Sequence, residues 1–114
     1  MCELYRPFTL YELQSEQVPW VAHNFPSREP FYPLLGAVEE IGELAHAHLK
    51  MLQGIRGSKE EHLANARDAV GDIVIFLADY CQAMGFDFQQ VVETTWDTVK
   101  QRDFRKYPKD GRSS

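Results

Sequence analysis

Apolar residues return every three or four positions through most of the chain, and short polar or glycine-containing stretches interrupt them. Leu34, Val38, Ile41, Ala45, His48 and Leu52 step by four and three, the spacing of a bundle seam. Leu63, Ala66, Val70, Leu77, Cys81 and Met84 recur in the same way. The β-rich run Ile73-Val74-Ile75-Phe76 sits inside that second pattern and reads as helix with it. Thr9 to Glu12, Ser58 to Glu61 and Asp87 to Gln90 each place a short oxygen-bearing residue three before Glu or Gln, the spacing that satisfies free N–H groups at a helix start.

These signals predict helices near 10–24, 33–53, 59–84 and 88–104, with Pro19 kinking or dividing the first. Residues 25–30 and 54–57 read as loops, and Gly85 as a stop. Beyond Phe104 the charged residues, Pro108 and Gly111 predict a mobile tail, so the chain divides into a helical domain at 1–104 and a tail at 105–114. The fold class is all-α, a four-helix bundle.

Composition narrows the partners. A chain of 114 residues with 44% hydrophobic positions suits one globular domain, and packing in an oligomer would add to its burial. The net charge of −5 and a pI near 5.3 argue against a DNA or RNA binder, which needs a basic face. Cys2 and Cys81 are too few and too far apart for a disulfide framework or a zinc cluster, which suits a reducing cytoplasm. No apolar leader or membrane-length run is visible, so neither export nor membrane insertion is expected.

The chemistry lies in the acids. At about 100° per residue, Glu39 and Glu43 differ by about 40°, Glu40 and Glu43 by about 60°, and Asp68 and Asp72 by about 40°. If the second and third helices form an antiparallel hairpin, a rise of about 1.5 Å per residue puts the two sets at matching levels. Carboxylates so crowded either take up protons or recruit a cation, and oxygen-only ligands favour a hard one such as Mg²⁺. The alternative is a solvated polar face, since both sets lie opposite the aliphatic patterns of their helices. Against it, the third helix is apolar all round from Ile73 to Ala78. The acid face is therefore expected to be covered, by a second copy of the chain.

Leu34-Leu35-Gly36-Ala37-Val38-Glu39-Glu40-Ile41-Gly42-Glu43-Leu44-Ala45 resembles the EExxE helix of the MazG-like nucleoside triphosphate pyrophosphohydrolases, and Asp68-Ala69-Val70-Gly71-Asp72-Ile73-Val74 resembles their ExxD helix. The resemblance runs from about Trp20 to Phe104. It implies a MazG-like all-α bundle completed by homo-oligomerisation, as a homodimer or a dimer of dimers. It also implies Mg²⁺-dependent cleavage of a nucleoside triphosphate to the monophosphate and pyrophosphate.

By position, Glu40, Glu43 and Asp72 match family metal ligands and Glu39 the extra acid of EExxE, the candidate base for water. The first acid of ExxD falls on Ala69, so Asp68 is expected to replace it as a ligand. Lys50, Lys100 and Arg102, with Arg28 and Arg105, are the candidate phosphate-binding cations, and Trp20 resembles an aromatic near the base pocket of relatives.

Two other readings compete. A non-catalytic helical module that dimerises or binds a partner explains the seams but not the level-matched acids. A di-iron carboxylate bundle is suggested by Glu43-Leu44-Ala45-His46, but it needs a second Glu-x-x-His, and the chain has none.

Overall fold

The computed structural model describes residues 6–112, so Cys2 lies outside the described residues. Four helices follow one another: α1 (Leu10–Asn24), α2 (Phe31–Gln53), α3 (Lys59–Met84) and α4 (Phe88–Val99), with no strand among the described residues. Both Thr9 and Ser58 form complete capping boxes: each hydroxyl accepts from the N–H three residues on, and the Glu there returns to the cap's own N–H. Asp87 accepts from the Gln90 N–H and starts α4. Gly54 and Gly85 close α2 and α3 at φ 69° and 76°, a left-handed conformation that glycine adopts without steric cost.

Three boundaries differ from the pattern-based expectation. Helix α1 runs undivided through Pro19. Helix α2 starts at Phe31 rather than near 33, because Pro33 falls in the first turn, where its missing N–H costs no helical bond. Helix α4 ends at Val99 rather than near 104. There the Asp103 carboxylate accepts from the N–H groups of Arg105 and Lys106, and its own N–H donates to the Gly111 carbonyl, so local turns replace the helix.

Helices α2 and α3 form the principal pair, an antiparallel hairpin. The shielded positions of α2 include Pro33, Gly36, Ala37, Glu40, Leu44, Ala47 and Met51, and those of α3 include His62, Ala66, Ala69, Ile73, Phe76 and Tyr80. Small residues let the helices approach closely. Phe76 lies over Gly36, where any Cβ would collide with the ring.

This corrects the expected seam. Leu34, Val38, Ile41 and Leu52 do not face α3; they are 42%, 57%, 53% and 72% exposed. The helix carries two apolar stripes, and the one that holds Gly36, Ala37 and Ala47, with Glu40 among them, makes the contact within the chain. The larger aliphatic stripe faces outward together with Val70 and Leu77.

Helix α1 packs across α3, where Leu10, Leu13 and Val74 surround the buried Ala78, Cys81 and Phe88. Burial pushes the Cys81 thiol above its usual range. Helix α4 leaves α3 at 107° and touches α1 and the end of α3. Among the described residues, no single helix is long and apolar enough to cross a membrane.

Candidate active site

Glu40 and Glu43 from α2 and Asp68 and Asp72 from α3 line one pocket of about 280 Å³ with His46, Asn65 and the methyls of Ala47 and Ala69. The level matching expected of the hairpin is met: four of the five singled-out acids share this space. No lysine or arginine lines it. Glu40, in the helix–helix seam, has its carboxyl pushed above the usual range, first by desolvation and then by the charges of Asp72, Glu43, Glu39 and Asp68. The other four acids thus all act on Glu40, although Glu39 lines a neighbouring pocket beside Tyr32, Gly36 and Phe76.

The oxygens do not close on a single point. Among the described residues, no three His, Cys, Asp or Glu side chains are placed to hold one ion. Like charges without a counter-ion favour rotamers that separate them, and most of these side chains are free to turn in solvent. The donor set is nevertheless almost purely oxygen and suits a hard divalent cation rather than a soft one.

Asp72 also lines a second, larger cavity of about 470 Å³, framed by α1, the loop after it, the first turn of α2 and α3. Its walls are largely aromatic, with Trp20, Phe25, Tyr32 and Phe76. Trp20 packs edge-on to Phe25 at 6.0 Å between centroids, and Phe25 lies 5.4 Å from Tyr32. Asp79, which lines the cavity, is held by Arg28, whose Nε and Nη2 both donate to the buried carboxylate, with Nε 2.8 Å from Oδ1. This hydrogen-bonded pairing raises the Arg28 pKa. Helix α1 and its loop thus cover Asp79 on this side of α3, while Asp72 stays exposed.

The candidate cations sit apart from the acid pocket. Lys50 follows Glu43 by two turns on the same face of α2 and donates to Gln53. Lys100 pairs with Asp97 at 3.1 Å on exposed α4, and Arg102 packs against Gly111 in the terminal turns. Arg28 is committed to Asp79. Sequence reasoning missed Gln17, Phe25 and Tyr32 as cavity residues. The aromatics clustered around the proline-rich loop were the available signal, whereas a glutamine on a polar helix offers none.

No family model and no curated protein matches the chain. Among solved structures, the MazG-like pyrophosphohydrolase of cyanophage S-2L, bound to dGDP and three catalytic Mn²⁺ ions per active site, matches with a TM-score of 0.58 at 26% identity. The match covers 85% of this chain and 86% of that one. The chain is similar to a MazG-like pyrophosphohydrolase. That likeness agrees with the resemblance of the two acid-bearing helices and extends it to the whole four-helix arrangement.

Proposed function

We propose that this chain is a Mg²⁺-dependent nucleoside triphosphate pyrophosphohydrolase that releases a nucleoside monophosphate and pyrophosphate. The observation that carries the reading is Asp72, which borders both the acidic pocket and the aromatic cavity and so joins a phosphate side to a base side. The similar phage enzyme, with its nucleotide and divalent ions, supports the same class of reaction.

Glu40, Glu43, Asp68 and Asp72 are the residues that would hold Mg²⁺, drawn together from the separated positions they occupy alone. The metal supplies positive charge that offsets the phosphates and the pyrophosphate leaving group. Glu39, outside the acidic pocket yet close enough to act on Glu40, is the proposed base. Its carboxylate takes a proton from water as the water oxygen bonds to the α-phosphorus. The bond from that phosphorus to the bridging oxygen breaks, and pyrophosphate leaves. Lys50 is the cation best placed to reach a phosphate, and Trp20 gives the base an aromatic wall.

We also place a second copy of the chain on the outward stripe of Leu34, Val38, Ile41 and Leu52, opposite the acids, making the enzyme a homodimer or a dimer of dimers.

Incubation with deoxy- and ribonucleoside triphosphates and Mg²⁺, with products separated, tests the reaction. Monophosphate with pyrophosphate is expected. Diphosphate with phosphate, or no turnover of any nucleotide, would overturn it.

A further inference from the structure

The acid pocket changes character along its length. Toward the 54–57 turn that joins the two helices, Glu40 and Glu43 of α2 give way to His46 one turn on, and Asp72 and Asp68 of α3 give way to Asn65. His46 and Asn65 both line the pocket and are open to solvent. Lys50 follows one turn further, because Glu43, His46 and Lys50 lie within about 60° of one another around α2. The next acid along that stripe of α3, Glu61, is committed to the helix cap, where its carboxylate accepts from the Ser58 N–H at 2.9 Å. Fixed charge thus passes from negative, through two residues that carry none, to positive as the pocket nears the turn.

The opposite direction leads into the aromatic cavity. Past Asp72, α3 presents Ile75, Phe76 and Asp79 to that space, and Asp79 already has Arg28 as its partner. A rise of about 1.5 Å per residue puts Asn65 about 10 Å from Asp72 along the helix in one direction and Asp79 about 10 Å in the other. A nucleoside triphosphate has the same polarity, with a flat base at one end and its greatest negative charge at the other. The two match in one orientation. The reverse would set the terminal phosphate among aromatic rings and beside a carboxylate whose counter-charge is already used.

We infer that the turn end of the acid pocket holds the terminal phosphate of the nucleotide, with the His46 ring and the Asn65 amide donating to its oxygens and Lys50 beyond them. This rests on the nucleotide reading proposed above, and it adds a direction for the substrate and two binding residues. Uncharged donors suit the position. Hydrogen bonds to a charged acceptor are the strong ones, and a carboxylate in their place would repel the phosphate.

The test measures equilibrium binding, with Mg²⁺, of the α,β-imido analogues of dATP, dCTP, dGTP and dUTP and of the matching diphosphates, whose α–β bridge resists hydrolysis. The parent should bind the best triphosphate analogue about tenfold or more tightly than its diphosphate. His46→Ala and Asn65→Ala should each reduce that ratio by about threefold or more, and Asn65→Asp should abolish it. Circular dichroism and Tm establish that these surface variants are folded. A Mg²⁺ titration without nucleotide separates a phosphate-facing amide from a metal-facing one: tighter Mg²⁺ binding in Asn65→Asp with the triphosphate preference intact would overturn the inference. Equal parental affinity for the two analogues, or a preference that survives all three substitutions, would also overturn it and leave the pyrophosphohydrolase reading standing. No binding of any analogue would overturn both.

Discussion

Arg28, in the loop between α1 and α2, donates through two nitrogens to the carboxylate of Asp79 on α3, and this pair holds the loop against the aromatic cavity. Both side chains are largely buried, at 19% and 10% exposure. Removing one partner of such a pair strands the other charge away from water. Arg28→Ala and Asp79→Ala should each lower the unfolding free energy by about 3 kcal/mol, measured by urea titration. The double variant should cost less than the two singles combined. Additive losses would show that the two side chains are not energetically coupled.

The five acids make a prediction about metal. Without a divalent ion their mutual repulsion destabilises the fold, so Glu40→Gln should raise Tm in chelator. In excess Mg²⁺ the order should reverse, because the parent gains binding energy that the variant lacks. Glu43→Ala and Asp72→Ala should lower turnover by about a hundredfold or more while helix content stays near parental. Calorimetric titration of the parent with Mg²⁺ should show saturable binding that both variants weaken. Parental turnover in either alanine variant would remove that residue from the site.

How much of this was legible in the sequence depended on whether spacing alone decides it. Thr9, Ser58 and Gly85 marked helix ends because their capping chemistry is local. The shared level of Glu40, Glu43, Asp68 and Asp72 followed from helical rise and a short hairpin turn. Spacing could not say which stripe of α2 meets α3. Leu34, Val38 and Ile41 look like a core, but Gly36, Ala37 and Ala47 permit the closer approach, and Phe76 fills the space above Gly36. The separation of the carboxylate oxygens is a matter of rotamers, which no periodicity records. Gln17 came to light only through the Ile75 carbonyl that holds one end of its amide.

The capping carboxylates give acid sensitivity a definite sign. Glu12 and Glu61 accept from the N–H groups of Thr9 and Ser58, and those bonds, backbone first, hold their pKa values below the usual 4.5. A carboxylate with a lowered folded-state pKa contributes stability that is present above its unfolded value and lost as pH falls through the folded one. Glu61→Gln should therefore flatten the fall in Tm below about pH 4.5 relative to the parent. Ser58→Ala removes the hydroxyl acceptor and should cost about 1 kcal/mol at neutral pH. An acid limb of the Tm profile unchanged in Glu61→Gln would place the titrating group elsewhere.

The outward face of the hairpin sets the last prediction. Val38 and Ile41 on α2 and Val70 on α3 are each more than half exposed, on the side of their helices away from the acids. An aliphatic surface spanning two helices is unfavourable in water, and a two-fold-related copy would bury it against itself. Light scattering of the parent should give at least a dimer, and Ile41→Asp should shift it to monomer, since two carboxylates would meet across the axis or be desolvated singly. Helix content should fall little, because Ile41 does not pack against α3. The acid pocket lies on the opposite side, so weakened Mg²⁺ binding in a folded monomer would mean that the second copy reaches the site as well as the stripe. A monomeric parent would refute the dimer and leave the outward stripe to a different partner.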